Sequence, residues 1–428
     1  MALHHIWLQL QEPNTQWVLA GTLLLGMASG VLGSFVLLRR QSLIGDAMAH
    51  SALPGVCLAF LIAGEKTMLF FLIGAAAAGL AGTWCIQNIT EHSKTKEDSA
   101  IGIVLSVFFG IGIILLTYIQ RLGSGSQSGL DSFLFGQAAS LVKQDIVIIG
   151  VISAVLLLLC AVFFKEFKLI TFDMAFAKGA GLPVRFLNGL LVFLIVCAVV
   201  IGLQTVGVIL MAAMLITPAI AARYWTERLT VMIVLSGLIG GLSGVAGTLL
   251  STTTDGMATG PLIILSASSV FLFSLLFAPD RGLVSKTVKL FRLRKKTAFE
   301  QTLSAIYEMS EQTNETSVTG QMLKKEWERP IRKLEKKGYL KRSGAEQWRM
   351  TEAGLTKGYE IVLSQRMYEV YLMHETELAG IETAARDEFH PDLLPKELKE
   401  KLLQLLRLHG RMPNESLQKE KGGAYNEL

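Results

Sequence analysis

The sequence predicts an all-α polytopic membrane protein with eight or nine transmembrane helices, followed by a smaller soluble domain. Of its 428 residues, 51% are hydrophobic and 18% are charged, a composition too apolar for an ordinary soluble enzyme. The charges are also unevenly distributed. Of the 40 basic and 35 acidic residues, 27 lie in residues 1–281 and 48 in the shorter remainder. This division predicts a membrane domain at 17–281 and a soluble domain at 298–428.

Nine apolar stretches have the length of about 20 residues that a helix needs to cross a bilayer. They lie at residues 17–38, 43–63, 68–89, 99–119, 145–164, 186–203, 206–222, 229–250 and 261–278. The two stretches on either side of Gln204 form one long apolar run, and only residues 202–207 offer a break. Eight and nine spans therefore both fit the sequence.

Basic residues between the spans predict the orientation, because cytoplasmic connections carry an excess of lysine and arginine. With nine spans, most of the basic connections fall on one side of the membrane. They contain Arg39, Arg40, Lys94, Lys96, Lys165, Lys168, Arg223 and Arg228. The N-terminal tail at 1–16 is then extracytoplasmic and the C-terminus is cytoplasmic. A basic linker at 282–297 follows the last span and is suited to anchoring the chain at the membrane surface.

Two ionisable side chains interrupt the second apolar stretch. Asp46 and His50 are four residues apart, so on a helix they lie on one face, one turn from each other. An ionisable group in the bilayer costs roughly 2.5–3.5 kcal/mol on insertion scales, so such a pair indicates a function. Carboxylate and imidazole suit divalent ions such as manganese, iron and zinc. The alternative is an intramembrane ion pair of Asp46 with Arg39 or Arg40 that only supports the fold.

The predicted cytoplasmic connection at 165–185 contains a short helix of its own. Asp173 is suited to capping its start, Gly179 or Gly181 to ending it, and Pro183 follows. A short helix between two spans can dock into a groove on a soluble partner. An interfacial amphipathic helix without a partner fits the pattern equally well.

Three stretches of the chain resemble the metal-type ABC permeases, which import manganese, zinc or ferrous iron. They are residues 33–55 (GSFVLLRRQSLIGDAMAHSALPG), 172–184 (FDMAFAKGAGLPV) and 206–222 (VGVILMAAMLITPAIAA). The first resembles the signature of that family and the second its coupling helix. The resemblance covers roughly residues 15–280 in the right order. It implies a multi-pass protein of the bacterial cell membrane that transports its metal ion and binds no tight cofactor.

The resemblance also implies partners. The chain contains no G-x-x-x-x-G-K-[ST] phosphate-binding loop, so a separate ATPase subunit would supply the energy and this chain would not itself be an enzyme. That subunit would act on the coupling segment through Asp173, Ala177, Gly179 and Gly181. An extracytoplasmic solute-binding protein would deliver the ion. A second permease, identical or similar, would contribute its own pair, so that two pairs facing one axis give four ligands.

The soluble domain resembles metal-responsive repressors of the diphtheria-toxin-repressor and manganese-regulator type. Residues 299–310, 332–340 and 348–354 resemble their winged helix, and 362–390 their dimerisation and metal-binding helices. This resemblance predicts a winged-helix-like α+β domain and favours manganese as the ion. It also raises an alternative function for the whole chain, a membrane-tethered metal-responsive transcriptional regulator.

The soluble domain departs from those repressors at two places. Pro330 lies where the recognition helix should run, which argues against DNA binding because proline breaks a helix beyond its first turn. Glu388 and His390 are two residues apart where an adjacent Glu-His pair is expected, although His374 and Glu382 can add to a site. A regulatory metal site at Glu388 and His390 and a scaffold that contacts the ATPase or a second permease both remain open.

Overall fold

A computed structural model describes residues 13–41, 43–63, 68–121, 143–253, 257–319, 327–344, 347–374 and 394–414. The chain divides into two compact units, Met1–Lys286 and Thr287–Leu428. The first unit contains eleven helices among the described residues. They are α1 Pro13–Leu38, α2 Ile44–Ala63, α3 Met68–His92, α4 Glu97–Arg121, α5 Lys143–Val162, α6 Phe164–Phe172, α7 Met174–Gly179, α8 Val184–Thr205, α9 Val208–Trp225, α10 Leu229–Ser251 and α11 Thr259–Phe277.

The predicted spans are confirmed as helices. Among the described residues, eight helices are long and apolar enough to cross a membrane, and Leu210–Trp225 within α9 is a shorter apolar helix. The predicted break between the sixth and seventh stretches is also present, because α8 ends at Thr205 and α9 begins at Val208. Gly207 forms the turn with a φ of 95°, a conformation that favours glycine.

Glycine lets the backbones of α1 and α10 approach closely. A Cβ atom on Gly26 would overlap the backbone carbonyl of Gly240, and one on Gly240 would overlap that of Gly26. One turn along, the Ser236 hydroxyl donates to the Gly30 carbonyl oxygen at 2.6 Å. Close packing of small residues with such hydrogen bonds holds helices together where lipid removes the hydrophobic driving force.

Helix α2 packs against α3, α4 and α9 through the same kind of contact. Gly55 of α2 and Gly74 of α3 meet backbone to backbone. At Gly112 of α4 an added Cβ atom would lie 2.9 Å from the Leu53 side chain, and at Gly45 it would lie 2.8 Å from Leu215 of α9. The helix that carries Asp46 and His50 is therefore enclosed on several sides.

The second unit combines helices with a small antiparallel sheet. Its elements are α12 Leu283–Thr313, which crosses the boundary between the units, β1 Ser317–Thr319, α13 Glu328–Lys336, β2 Leu340–Gly344, β3 Gln347–Met350, α14 Glu352–Met373 and α15 Lys396–Leu408. The strand order is β1-β3-β2. Tyr307 of α12 and Val362 of α14 are fully buried in one core with Leu334 of α13.

Three predictions for the soluble domain meet different outcomes. The basic linker predicted at 282–297 is helical and forms the first half of α12. Pro330 falls in the first turn of α13, where proline is tolerated, so it does not interrupt this helix. The winged-helix assignment stays a prediction, as does the absence of DNA binding. Glu382, Glu388 and His390 lie outside the described residues, as do residues 1–12 of the predicted N-terminal tail.

Candidate functional site

Helix α2 carries Asp46 and His50 on one face, as the spacing predicts. Asp46 lies in the first turn, where the helix dipole favours an acidic side chain. Its Oδ1 is 3.4 Å from Nε2 of His50, and the two side chains are 34% and 14% exposed. The pair is thus close together, and partly accessible rather than sealed in the core.

Helix α4 holds the His50 ring from the side. The Phe109 ring meets it edge to face, with centroids 4.6 Å apart and planes at 82°. Nδ1 of His50 is buried without a hydrogen-bond partner in the described part of the chain. Packing, rather than hydrogen bonding at Nδ1, therefore fixes this ring.

Arg39 is hydrogen-bonded to Asn188. The alternative of a purely structural ion pair required Asp46 as a partner of Arg39 or Arg40. The Nη1 atom of Arg39 donates to Oδ1 of Asn188 in α8 at 2.5 Å, while Nε and Nη2 are buried without a hydrogen-bond partner. Burial lowers the pKa of Arg39 from its ordinary value by removing water from the guanidinium. Neither Arg39 nor Arg40 forms an ion pair with Asp46 among the described residues.

The turn between α1 and α2 depends on a left-handed residue. Arg40 has a φ of 60°. The N–H of Gln41 donates to the Val36 carbonyl at 3.2 Å, and that of Arg40 to the Leu37 carbonyl at 3.1 Å. These two bonds form the Schellman arrangement, which ends a helix and redirects the chain. The turn leads the chain from α1 into α2.

The short helix predicted in the connection at 165–185 is present as α7. The Asp173 carboxylate caps its start by accepting from the Phe176 N–H at 2.8 Å. Ala177 is fully buried. The helix ends at Gly179, and Gly181 has a φ of 82°. The predicted cap and stop are both confirmed.

The helices on either side of α7 contact the end of α1. Phe167 of α6 meets Phe35 edge to face, with centroids 5.9 Å apart. Asn188, in the second turn of α8, binds Arg39. Helices α6 and α8 thus connect α7 to the end of α1, and α1 leads directly into α2.

A polar cavity of about 180 Å³ lies beside the start of α2. Glu91 and Glu97 line it together with Gln41 and Asn188. The Gln41 side chain donates to the Glu97 carboxylate at 2.8 Å. Neither Asp46 nor His50 lines this cavity, and α2 contributes Ile44 to it.

The described residues contain no group of three or more His, Cys, Asp or Glu side chains arranged to hold a metal ion. One permease therefore offers two ligands of this kind on α2. In the second unit, the rings of His374 and His409 lie edge to face, with centroids 5.5 Å apart. The sequence did not indicate His409 as a neighbour of His374, because the two lie on different helical segments.

The sequence also did not indicate Asn188 or Phe109 as neighbours of this site. An asparagine at the start of an apolar helix is a usable sign, since a polar side chain there requires a partner. A phenylalanine among the many aromatic residues of a membrane domain carries no such sign.

Known proteins match either the first unit of this chain or both of its units. The ABC 3 transport family matches residues 11–278. The manganese transport system membrane protein MntC of Bacillus subtilis is 68% identical over 432 residues, which cover 99% of each chain. The zinc transport system membrane protein TroC of Treponema pallidum is 42% identical and covers 70% of this chain and 99% of its own. The solved structure of PsaBC from Streptococcus pneumoniae superposes with a TM-score of 0.59 at 36% identity, covering 68% of this chain and 99% of that one.

The family match at 11–278 covers all eleven helices of the first unit, which run from Pro13 to Phe277. The match to the Bacillus relative includes the second unit. The match to TroC includes nearly all of TroC but only 70% of this chain. The chain belongs to the ABC 3 transport family.

Proposed function

We propose that this chain is the permease subunit of an ATP-driven importer of divalent metal ions, with manganese as its preferred substrate. The observation that carries the proposal is the Asp46–His50 pair on α2, inside a membrane domain of a transport family. Its relatives are named for manganese and zinc transport. Carboxylate and imidazole are ligands that suit both ions.

The distance between the two ligand atoms supports binding of a single ion. With bonds of about 2.1 Å to each, atoms that are 3.4 Å apart subtend an angle of about 110° at the metal. This angle is close to the tetrahedral value, so one ion can contact both ligand atoms. Binding requires Asp46 in its charged form and His50 in its neutral form.

A site with two ligands per chain is suited to transport because it binds the ion only transiently. A fully enclosed site would not release its ion. In the proposed importer, a second permease presents its own pair across a common axis, and a solute-binding protein delivers the ion from outside.

The proposed energy source is a separate ATPase subunit that docks on α7. Phe172, Met174 and Phe176 are 62%, 52% and 62% exposed on and beside this short helix, so they form an apolar contact surface. Movement of α7 would pass through the Phe35–Phe167 and Arg39–Asn188 contacts to α1 and then to α2. The Asp46–His50 pair would thereby open alternately to the two sides of the membrane.

Uptake of radioactive manganese and zinc tests the proposal in cells that contain the permease and its partners. Asp46→Asn and His50→Ala should each lower uptake at least tenfold while membrane abundance stays normal. Asp98→Asn and His92→Ala are matched controls, because both residues are exposed near helix ends, and should retain uptake. Undiminished uptake in the Asp46 and His50 variants would assign the pair a structural role only.

For the second unit we propose a regulatory role in which cytosolic metal slows uptake. The support is the resemblance of residues 362–390 to the dimerisation and metal-binding helices of metal-responsive repressors. Deletion of residues 297–428 should leave uptake faster than in the full chain when internal manganese is high. Equal rates would contradict this role.

A further inference from the structure

Helix α12 begins with a strongly basic segment. Seven basic residues and no acidic residue lie between Asp280 and Glu300. The same segment contains six of the exposed large hydrophobic side chains of the structure. Basic and apolar side chains thus alternate along one helix that starts close to the end of the last apolar helix, α11.

The two kinds of side chain separate onto opposite sides of α12. At about 100° per residue, five apolar side chains occupy an arc of about 160°, and four basic ones occupy about 120° on the other side. The apolar side consists of Leu283, Val284, Val288, Leu290 and Phe291, and the basic side of Lys286, Lys289, Arg292 and Lys296. Three residues depart from this separation, because Leu293 lies among the basic residues and Arg294 and Lys295 lie within the apolar arc.

The apolar side of α12 is uncovered. Its five residues are between 45% and 57% exposed. A contiguous apolar surface of this kind marks a contact site rather than ordinary solvent-facing helix. Arg294 and Lys295 lie at its far end, where long basic side chains can reach back toward the polar side.

Aromatic residues mark the membrane boundary next to the start of α12. Trp225, at the end of α9, stacks on Phe273 of α11 with centroids 6.4 Å apart. Its indole N–H donates to the Ser274 hydroxyl at 2.8 Å. Tryptophan prefers the level of the lipid headgroups. Phe277 ends α11, and a tight turn in which the Gly282 N–H donates to the Ala278 carbonyl leads into α12.

We propose that residues 283–296 of α12 bind the surface of a bilayer that contains anionic phospholipid. The apolar side enters the boundary between headgroups and acyl chains, and the basic side contacts the anionic headgroups. An amphipathic helix with a cationic polar face binds membranes in this way. Since the helix continues without a break to Thr313, the bound segment also anchors the core of the second unit through Leu303 and Tyr307.

Fluorescence from single labelled positions tests this proposal in the full chain. The four native cysteines are replaced by alanine, and the environment-sensitive dye NBD is attached to Phe291→Cys on the apolar side. Lys289→Cys on the opposite side is the matched control. The labelled permeases are placed in vesicles of phosphatidylcholine, alone or mixed with phosphatidylglycerol, with a nitroxide-labelled lipid as quencher.

The label at position 291 should shift to shorter wavelength and be quenched by the nitroxide lipid, whereas the label at 289 should not. Quenching at 291 should be greater with phosphatidylglycerol present. Equal quenching at the two positions would overturn the proposal. A wavelength shift at 291 without quenching would also overturn it, because that result shows a protein surface covering the apolar side.

A separate experiment tests the attraction between the basic side of α12 and anionic headgroups. Each basic residue near an anionic surface strengthens association about fivefold. Lys286→Glu together with Arg292→Glu should therefore abolish the additional quenching at position 291 that phosphatidylglycerol produces. Quenching that is the same with and without phosphatidylglycerol in the native sequence would refute recognition of anionic headgroups.

Discussion

Replacing Gly33 by alanine is expected to separate α9 from α1. A Cβ atom there would lie 2.7 Å from the Leu215 carbonyl carbon and nearer still to its oxygen, whereas ordinary contact begins at 3.4 Å. Backbone atoms of two packed helices must then part by at least the difference of 0.7 Å. Forced backbone shifts in a packed core cost about 1–3 kcal/mol. The Leu215 side chain also lies against Gly45, next to Asp46, so the displacement reaches the proposed metal site.

Gly102→Ala in α4 is the matched control, because no atom lies within 4 Å of the added methyl group. Alanine at an open helical position favours the helix by about 1 kcal/mol over glycine. The assay is the melting temperature and folded yield of each variant in detergent, followed by manganese uptake per permease in membranes. Gly33→Ala should lower all three, and Gly102→Ala none. Equal melting temperatures for the two variants would refute the packing of α9 on α1.

Three further substitutions test contacts between distant parts of the chain. Asn188→Ala leaves the buried Arg39 guanidinium without its acceptor and should lower the free energy of unfolding by about 1.5–3 kcal/mol. Asn188→Asp should restore the melting temperature. An unchanged melting temperature in the alanine variant would contradict the contact. Arg40→Gly should raise the melting temperature by relieving a left-handed residue worth about 1 kcal/mol, and a decrease would show that the Arg40 side chain is needed. Glu311 accepts from Arg366 at 2.5 Å and from the Asn414 N–H at 2.8 Å, so Glu311→Ala should speed limited proteolysis of the second unit in the full chain, and an unchanged rate would refute its role.

Local features of the fold could be predicted from the sequence because they depend on neighbours along the chain. Asp173 caps α7 through a hydrogen bond to a residue three positions later, and Gly181 ends the segment through its own φ angle. The spans follow from apolar runs of sufficient length, and the break before α9 follows from Gly207. By contrast, the sequence did not show where α13 begins, and therefore did not show that Pro330 lies in its first turn.

In the candidate site too, some features depend on neighbours along the chain and others on tertiary packing. The proximity of Asp46 and His50 follows from helical spacing and needs no tertiary information. Phe109 lies against His50 from another helix, and Asn188 lies 149 residues from Arg39. The sequence offered Asp46 as the partner of Arg39, whereas the packing of α8 on α1 supplied Asn188.

The sequence by itself determined the membrane class of this protein, the positions of its helices, the cap and stop of α7 and the spacing of the Asp46–His50 pair. Only the tertiary structure decided which helix faces meet: α1 against α9 and α10, α2 against α3 and α4, and α8 against the end of α1. The physical reason is that a helix in lipid is apolar on all sides, so periodicity does not distinguish a buried face from an exposed one. Contacts between glycine backbones and a few polar side chains then select the arrangement, and these contacts exist only once the helices have packed.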